Sequence, residues 1–286
     1  SVGNRASFRN LSESETTEQY SVEAIGAGTN AGQKIRVSGF GLVQVYDNVT
    51  GIVANFEGSN DYFFAGLDGA RGTADTIPIS LPVTVTGDSG NDTIIVRTTG
   101  TVSIQGGAGS DYIQASASGG SINGEGEDDT ISWIAGSETG VTLNGGGGVN
   151  ALQVVFTSGA DRVLVDRPAT GFQVKRLNAS DVAFDTITSS NFMVLTLTGK
   201  QGADQIRLAD LVGSGIRKVI VDLSQYDTGA TTSQTVNGVT TTRSVFASDH
   251  DADLLTIDGT SSSDTMNLAT GPDADDLDGD GNPTEQ

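Results

Sequence analysis

Apolar and polar residues exchange places along this chain in short alternating runs, each closed by a glycine-rich, acidic bend. Near the start, QKIRVSGF (33–40) and GLVQVYD (41–47) carry Ile35, Val37, Leu42, Val43 and Val45 in that pattern and predict two strands of an N-terminal β cap over residues 1–50. Over residues 51–156 one phrase then recurs: a β-like triplet, a bend of Gly with Asp or Asn, and a second β-like run. Its copies are VTVTGDSGNDTIIV (83–96), VSIQGGAGSDYIQA (102–115), SINGEGEDDTISW (121–133) and VTLNGGGGVNALQV (141–154), with VANFEGSNDYFF (53–64) as a worn first copy.

Asp92 and Asp111 are 19 residues apart, Asp111 and Asp129 are 18 apart, and Asp129 and Asn150 are 21 apart. A fixed period of this length marks stacked coils of two strands and two bends each. The expected fold is therefore all-β: a right-handed parallel β-solenoid, β-roll or β-helix in kind, with about 18–21 residues per coil and its acidic bends piled along one edge. Beyond residue 156 the phrase returns irregularly, as LTLTGKQGADQIRL (195–208), LTIDGTSSSDTMNL (255–268) and a partial FTSGADRVLV (156–165). Residues 157–270 accordingly read as degenerate C-terminal coils or a second β-domain. Within them the Thr-, Gly- and Ser-rich stretch 227–243 predicts a hairpin or an exposed loop. Residues 271–286 are nearly devoid of apolar side chains and read as an acidic, Asp-rich linker or tail.

Composition narrows the partners. Thirty-nine glycines, plentiful Thr, Val and Ile, and few helix-favouring runs agree with an all-β chain. Fifteen Lys and Arg against 36 Asp and Glu give a formal charge of −21, which argues against nucleic acid and anionic membranes and favours cations. No cysteine is present, so no disulfide or thiol chemistry enters. No run approaches the roughly 18 apolar residues that would span a bilayer, so membrane insertion is not expected. With no leader-like pattern after Ser1, the expectation is a mature product or a segment cut from a longer protein.

The bend Gly106-Gly107-Ala108-Gly109-Ser110-Asp111-Tyr112-Ile113-Gln114 resembles, at every fixed position, the calcium-binding nonapeptide G-G-x-G-x-D-x-U-x of RTX, or haemolysin-type, repeat proteins. The preceding bend keeps Gly87, Gly90, Asp92 and Ile94; the following one keeps Gly124, Asp129 and Ile131 but has Glu127 in place of the third glycine; the bend around Gly145 has Asn150 in place of Asp. In RTX proteins the nonapeptide runs in tandem on both edges of the coil, whereas here it occurs once per coil, which implies one acidic edge and a plainer one opposite. The ion expected is Ca²⁺. Neighbouring strands lie about 4.7–4.9 Å apart and calcium binds oxygen at about 2.3–2.6 Å, so an ion midway between stacked bends reaches both. Magnesium, at about 2.0–2.1 Å and near-octahedral, bridges them poorly. The expected ligands are the carboxylates of Asp92, Asp111 and Asp129, with carbonyls of Gly87, Gly90, Gly106, Gly109 and the Gly124 bend, and Asp88 and Glu125 as further donors. Asp61, Asp75, Asp204 and Asp264 are weaker candidates. The alternative is that these bends are ordinary turns, which favour Gly, Asn and Asp for their own reasons. In the tail, Asp276, Asp278 and Asp280 followed by Gly281 match the opening of an EF-hand loop, again a calcium pattern, set against a solvated acidic linker.

A catalytic reading has little to stand on. His250 is the single histidine, flanked by acids, and the one basic cluster near the repeats is Arg162, Arg167, Lys175 and Arg176. Tyr62, Phe63, Phe64, Tyr112 and Trp133 read as core or flank residues in preference to a sugar-stacking platform. The expectation is a non-catalytic, calcium-stabilised structural or adhesive module of a larger bacterial surface or secreted protein. It would be extracellular, with calcium and either a cell-surface glycan or neighbouring copies of itself as partners. Two alternatives stay open: a subunit of a self-assembling surface layer or filament, and a carbohydrate-active β-helix enzyme of the lyase or epimerase type.

Overall fold

The computed structural model describes residues 17–67, 77–136, 140–223 and 254–256 in full and the backbone of 226–236, 239–247 and 257. Among these residues the protein is all-β, with no helix, and consists of two largely parallel sheets of ten strands each and a separate hairpin. The expectation of an all-β, parallel-stranded chain holds at this level, and the arrangement is consistent with a β-solenoid.

The chain opens with an antiparallel meander of β1 (Gln19–Ala27), β2 (Gln33–Gly39) and β3 (Leu42–Val49). It then alternates between the sheets. Strands β4 (Ile52–Asn55), β6 (Val83–Ser89), β8 (Val102–Ala108), β10 (Gly120–Gly126) and β12 (Val141–Asn144) lie in sheet II. Strands β5 (Tyr62–Ala65), β7 (Thr93–Arg97), β9 (Tyr112–Ser116), β11 (Thr130–Ile134) and β13 (Ala151–Val155) lie in sheet I, into which β1 pairs parallel beside β5. Each copy of the sequence phrase within residues 51–156 is thus one strand in sheet II, the acidic bend, and one strand in sheet I.

After β13 the regular alternation is broken by a detour. Strand β14 (Arg162–Asp166) enters sheet II, β15 (Phe172–Leu177) returns antiparallel to it, and β16 (Ala183–Ser190) runs antiparallel to β15 and parallel beside β12. Strands β17 (Val194–Thr198) and β19 (Lys218–Asp222) then extend sheet I, while β18 (Gln205–Leu208) and β22 (Leu254–Ile257) extend sheet II. The expected insert at 227–243 is a hairpin, β20 (Tyr226–Val236) against β21 (Val239–Ala247).

The period-two alternation explains the core. Within β7, β9 and β13 every second residue is buried, and parallel registry stacks like on like: Phe63, Ile94, Ile113, Ile131, Leu152 and Leu195 form one continuous apolar column. A second column alternates small and large, with Ala115 between Val96 and Trp133, so the indole fits without widening the stack. The apolar position that ends each bend phrase is therefore the position that anchors the bend to the core. Ile113→Ala, at a fully buried site in the middle of the first column, is expected to cost about 3 kcal/mol, read as a lowered urea midpoint at unchanged m-value.

Candidate metal centre

Five successive bends place one Asx side chain each at the same corner, where the chain passes from sheet II to sheet I. Asp61, Asp92, Asp111, Asp129 and Asn150 are all buried there. They form a ladder along the stack. The Glu18 N–H donates to Asp61 Oδ1 at 2.5 Å, Asp61 N–H to Asp92 Oδ1 at 2.7 Å, and Asp92 N–H to Asp111 Oδ1 at 2.8 Å. Asp111 N–H donates to Asp129 Oδ1 at 2.9 Å and Asp129 N–H to Asn150 Oδ1 at 2.7 Å. One side-chain oxygen per coil thus accepts the amide of the coil before it. An outer, exposed ladder runs beside it, with Asn91 N–H donating to Asn60 Oδ1, Ser110 N–H to Asn91 Oδ1 and Val149 N–H to Asp128 Oδ1.

The second oxygen is the unusual one. Oδ2 of Asp61, Asp92, Asp111 and Asp129 is buried without a hydrogen-bond partner. Each of the last three points at the glycine five residues earlier. A Cβ at Gly87 would overlap both Asp92 Oδ2 and the Gly106 carbonyl; at Gly106 it would overlap Asp111 Oδ2 and come within 2.8 Å of the Gly124 carbonyl; at Gly124 it would overlap Asp129 Oδ2 and sit 2.5 Å from the Gly145 carbonyl. Glycine is required at these positions for space. At Gly90 and Gly109 it is required for conformation as well, with φ of 129° and 124°. The result is a row of small cradles, each bringing one carboxylate oxygen and one carbonyl oxygen of the next coil together with no donor between them.

Asn150 shows what such a cradle accepts. Its Nδ2 occupies the place of an Asp Oδ2 and donates to the carbonyls of Gly147 at 2.9 Å and Asn191 at 3.2 Å. Where the side chain is an amide, the cradle is satisfied by N–H; where it is a carboxylate, the same acceptors face an oxygen. Such a site asks for a proton or a cation. Electrostatics agree. Burial pushes the Asp92 carboxyl up to about 7, against the lowering effect of the Asp61 amide, and the charges of Asp111, Asp61 and Asp88 add to the rise. Burial likewise raises Asp111 and Asp129 to about 6, and it raises Asp61.

Of the expected ligands, the structure brings the carboxyls of Asp92, Asp111 and Asp129 to one corner, with the Gly106 and Gly124 carbonyls beside them. The Gly145 carbonyl, which the pattern did not single out, completes the cradle of Asp129. The Gly90 carbonyl abuts Gly109 of the next coil and stands away from these cradles. Asp88 and Glu125 occupy equivalent left-handed positions, φ 74° and 79°, on the exposed outer side of the bends, where Glu125 accepts from Gln105 at 3.1 Å. Among the described residues no group of three or more His, Cys, Asp or Glu side chains converges. A cation here would therefore take most of its ligands from backbone carbonyls and one carboxylate per coil, a hard all-oxygen set that suits calcium. Asp75, Asp264, His250, Asp276, Asp278 and Asp280 lie outside the described residues.

The opposite corner is not plain, contrary to expectation. Asp161 and Asp204 lie in turns from sheet I to sheet II, both buried, and repeat the motif with Asp161 N–H donating to Asp204 Oδ1 at 2.8 Å. The sequence held a signal: Asp161 follows Asn150 by 11 residues, about half a coil, which moves it to the other edge. Here the protein supplies its own cation. Arg176, buried on β15, donates Nε at 3.0 Å and Nη2 at 2.9 Å to Asp161 Oδ1, reaches Asp185 at 3.8 Å and bonds the Gly136 carbonyl; Thr157 satisfies Asp161 Oδ2. Two more members of the basic cluster are also committed, Arg162 to Asp181 and Lys175 to Asp166, each at 2.6 Å.

No family model matches the chain, nor does any curated protein or solved structure. Function must therefore be argued from the corner itself.

Proposed function

We propose that this chain is a right-handed parallel β-solenoid whose Asp92, Asp111 and Asp129 corner is closed by calcium ions, and that its role is mechanical: a calcium-stiffened structural or adhesive module of a bacterial surface or secreted protein. The observation that carries this reading is the contrast between Asn150 and its carboxylate counterparts. The amide satisfies its cradle with N–H donors, while each Asp leaves two facing oxygens that a divalent ion between coils would join. The resemblance of residues 106–114 to the RTX nonapeptide supports the same ion. Right-handedness follows from the strong preference of parallel crossover connections for that hand. An extracellular setting suits a scaffold stabilised by calcium, and the charge of −21 suits a cation partner in place of nucleic acid. The ion pairs of Arg162, Lys175 and Arg176 favour a non-catalytic role, because they engage three of the four basic groups of that cluster, which a lyase would need at a substrate.

Chelation tests this. Thermal melts followed by circular dichroism are expected to rise in midpoint with added calcium and to be unmoved by equimolar magnesium. A hundredfold excess over the dissociation constant would contribute about 2.7 kcal/mol per ion. A melting curve indifferent to calcium and chelator at pH 7.5 would remove the ion from the account.

A further inference from the structure

Among the described residues, the two sheets end at different levels at each end of the stack, and the two ends are stepped in opposite directions. At the N-terminal end sheet I runs three strands past β5, through β1, β2 and β3, whereas sheet II stops at β4. At the other end, counted from the coil of β12 and β13, sheet II runs on through β16, β15, β14, β18 and β22, and sheet I only through β17 and β19. Sheet II therefore overhangs by three strand positions where the other end has sheet I overhanging by three. Both sheets have ten strands. A copy displaced by ten positions along the stack, about 48 Å at 4.8 Å per strand, would set β4 against β22 and β3 against β19 with neither gap nor overlap.

Strand sense agrees. Strand β3 is antiparallel to β2, which is antiparallel to β1, which is parallel to β5; two reversals return β3 to the direction of β19. In sheet II the reversals at β15 likewise return β14, β18 and β22 to the direction of β4. Either joint would continue its sheet in parallel. The edges also have the character of a contact. Leu42, Val43 and Val45 on β3, Val53 on β4, Ile220 on β19, and Leu254 and Leu255 on β22 are all exposed. Ile52 and Phe56 donate inward to the Pro82 and Thr86 carbonyls at 2.9 Å, so the alternation of a strand turns the Val53 N–H outward, ready to pair. Charges flank these apolar positions, with Lys218 and Asp222 on β19 and Asp47 on β3, while the described stretches of β4 and β22 carry none.

We propose that copies of this chain join head to tail, β22 onto β4 and β19 onto β3, into an open filament with both sheets continuous. The joint is heterologous, so it propagates without closing. It does not depend on what occupies the Asp corner, and the like charge of the copies makes it tighten with ionic strength.

The full chain has no cysteine, which makes the test direct. A V53C/L255C double variant treated with a short bis-maleimide is expected to give a ladder of covalent multiples on a denaturing gel. Each single variant, its cysteines about 48 Å apart along the stack, stays uncross-linked. The unsubstituted protein is expected to sediment as species that lengthen with concentration, and to show a 48 Å axial repeat by electron microscopy. Val53→Pro removes an outward N–H while leaving the bonds to β6, and Val43→Lys places a charge on the other edge; each is expected to raise the concentration for half assembly about tenfold or more with an unchanged melting curve. A chain that stays monomeric into the millimolar range, stops at dimers, or assembles regardless of both edge variants would overturn the proposal. None of these outcomes depends on calcium, so this proposal and the calcium reading fail separately.

Discussion

Replacing Asp92, Asp111 and Asp129 together by Asn is expected to make the calcium-free protein more stable at pH 7.5 and to erase its response to calcium. Asn150 already shows the geometry the variant would adopt: Oδ1 keeps accepting the amide of the preceding coil, and Nδ2 donates to the carbonyls that now face Oδ2. The substitution removes three buried charges stacked one coil apart. Carboxylates about 4.8 Å apart repel by about 3–4 kcal/mol at an effective dielectric near 20, and each new hydrogen bond contributes about 1 kcal/mol. A gain of several kcal/mol is a large share of the roughly 5–15 kcal/mol that holds an ordinary domain together. Alanine at the same sites separates this from a mere loss of charge. Asp111→Ala removes the charge but also orphans the Asp92 amide, so its stability in chelator should fall well short of the asparagine variant. The comparison is read from urea midpoints in chelator and in calcium. Should the asparagine variant still gain stability from calcium, the ion binds somewhere other than this corner.

The ladder was legible because its period is written in single residues. Asp92, Asp111 and Asp129 recur at coil length, and the apolar residue two positions on, Ile94, Ile113 or Ile131, recurs with them and enters the core column. What sequence could not supply was direction. An Asp in a bend points equally well to solvent or to the core until the glycine five residues before it is seen to leave room, and that is a matter of contact between coils. Asp161 falls on the far corner because it follows Asn150 by only half a coil, a spacing that the partial copy at 156–165 does not by itself assign to either edge. In sequence Arg176 is one member of a basic cluster; its burial against Asp161 depends on the antiparallel detour of β14 to β16, a pairing between segments with no shared motif. The staggered ends were invisible for the same reason, since they are a count of strands in each sheet.

In the absence of divalent ions the unsubstituted protein is expected to lose stability as pH rises from 5 to 8, the reverse of what paired surface carboxylates would produce. Asp92 is held at about 7 and Asp111 and Asp129 at about 6 in the folded chain, above the ordinary value of 3.8 that applies when it unfolds. Between those values the folded state carries more protons than the unfolded one, so stability is greatest below about pH 4 and falls as each folded-state value is passed, by up to about 1.4 kcal/mol per pH unit per carboxylate. Calcium reverses the trend. The ion needs the ionised carboxylate, so with calcium saturating the protein should hold its stability at pH 8 and release the metal as pH falls through 6. The curves in chelator and in calcium should therefore converge in acid and diverge above neutrality. General self-repulsion of a chain with charge −21 also grows with pH, but it acts on every variant alike. The triple asparagine variant, whose three corner groups no longer titrate, should show a much flatter chelator curve over the same range. Equal slopes for the two proteins would mean that these carboxyls are ionised in the folded state, and the corner would then need neither proton nor metal.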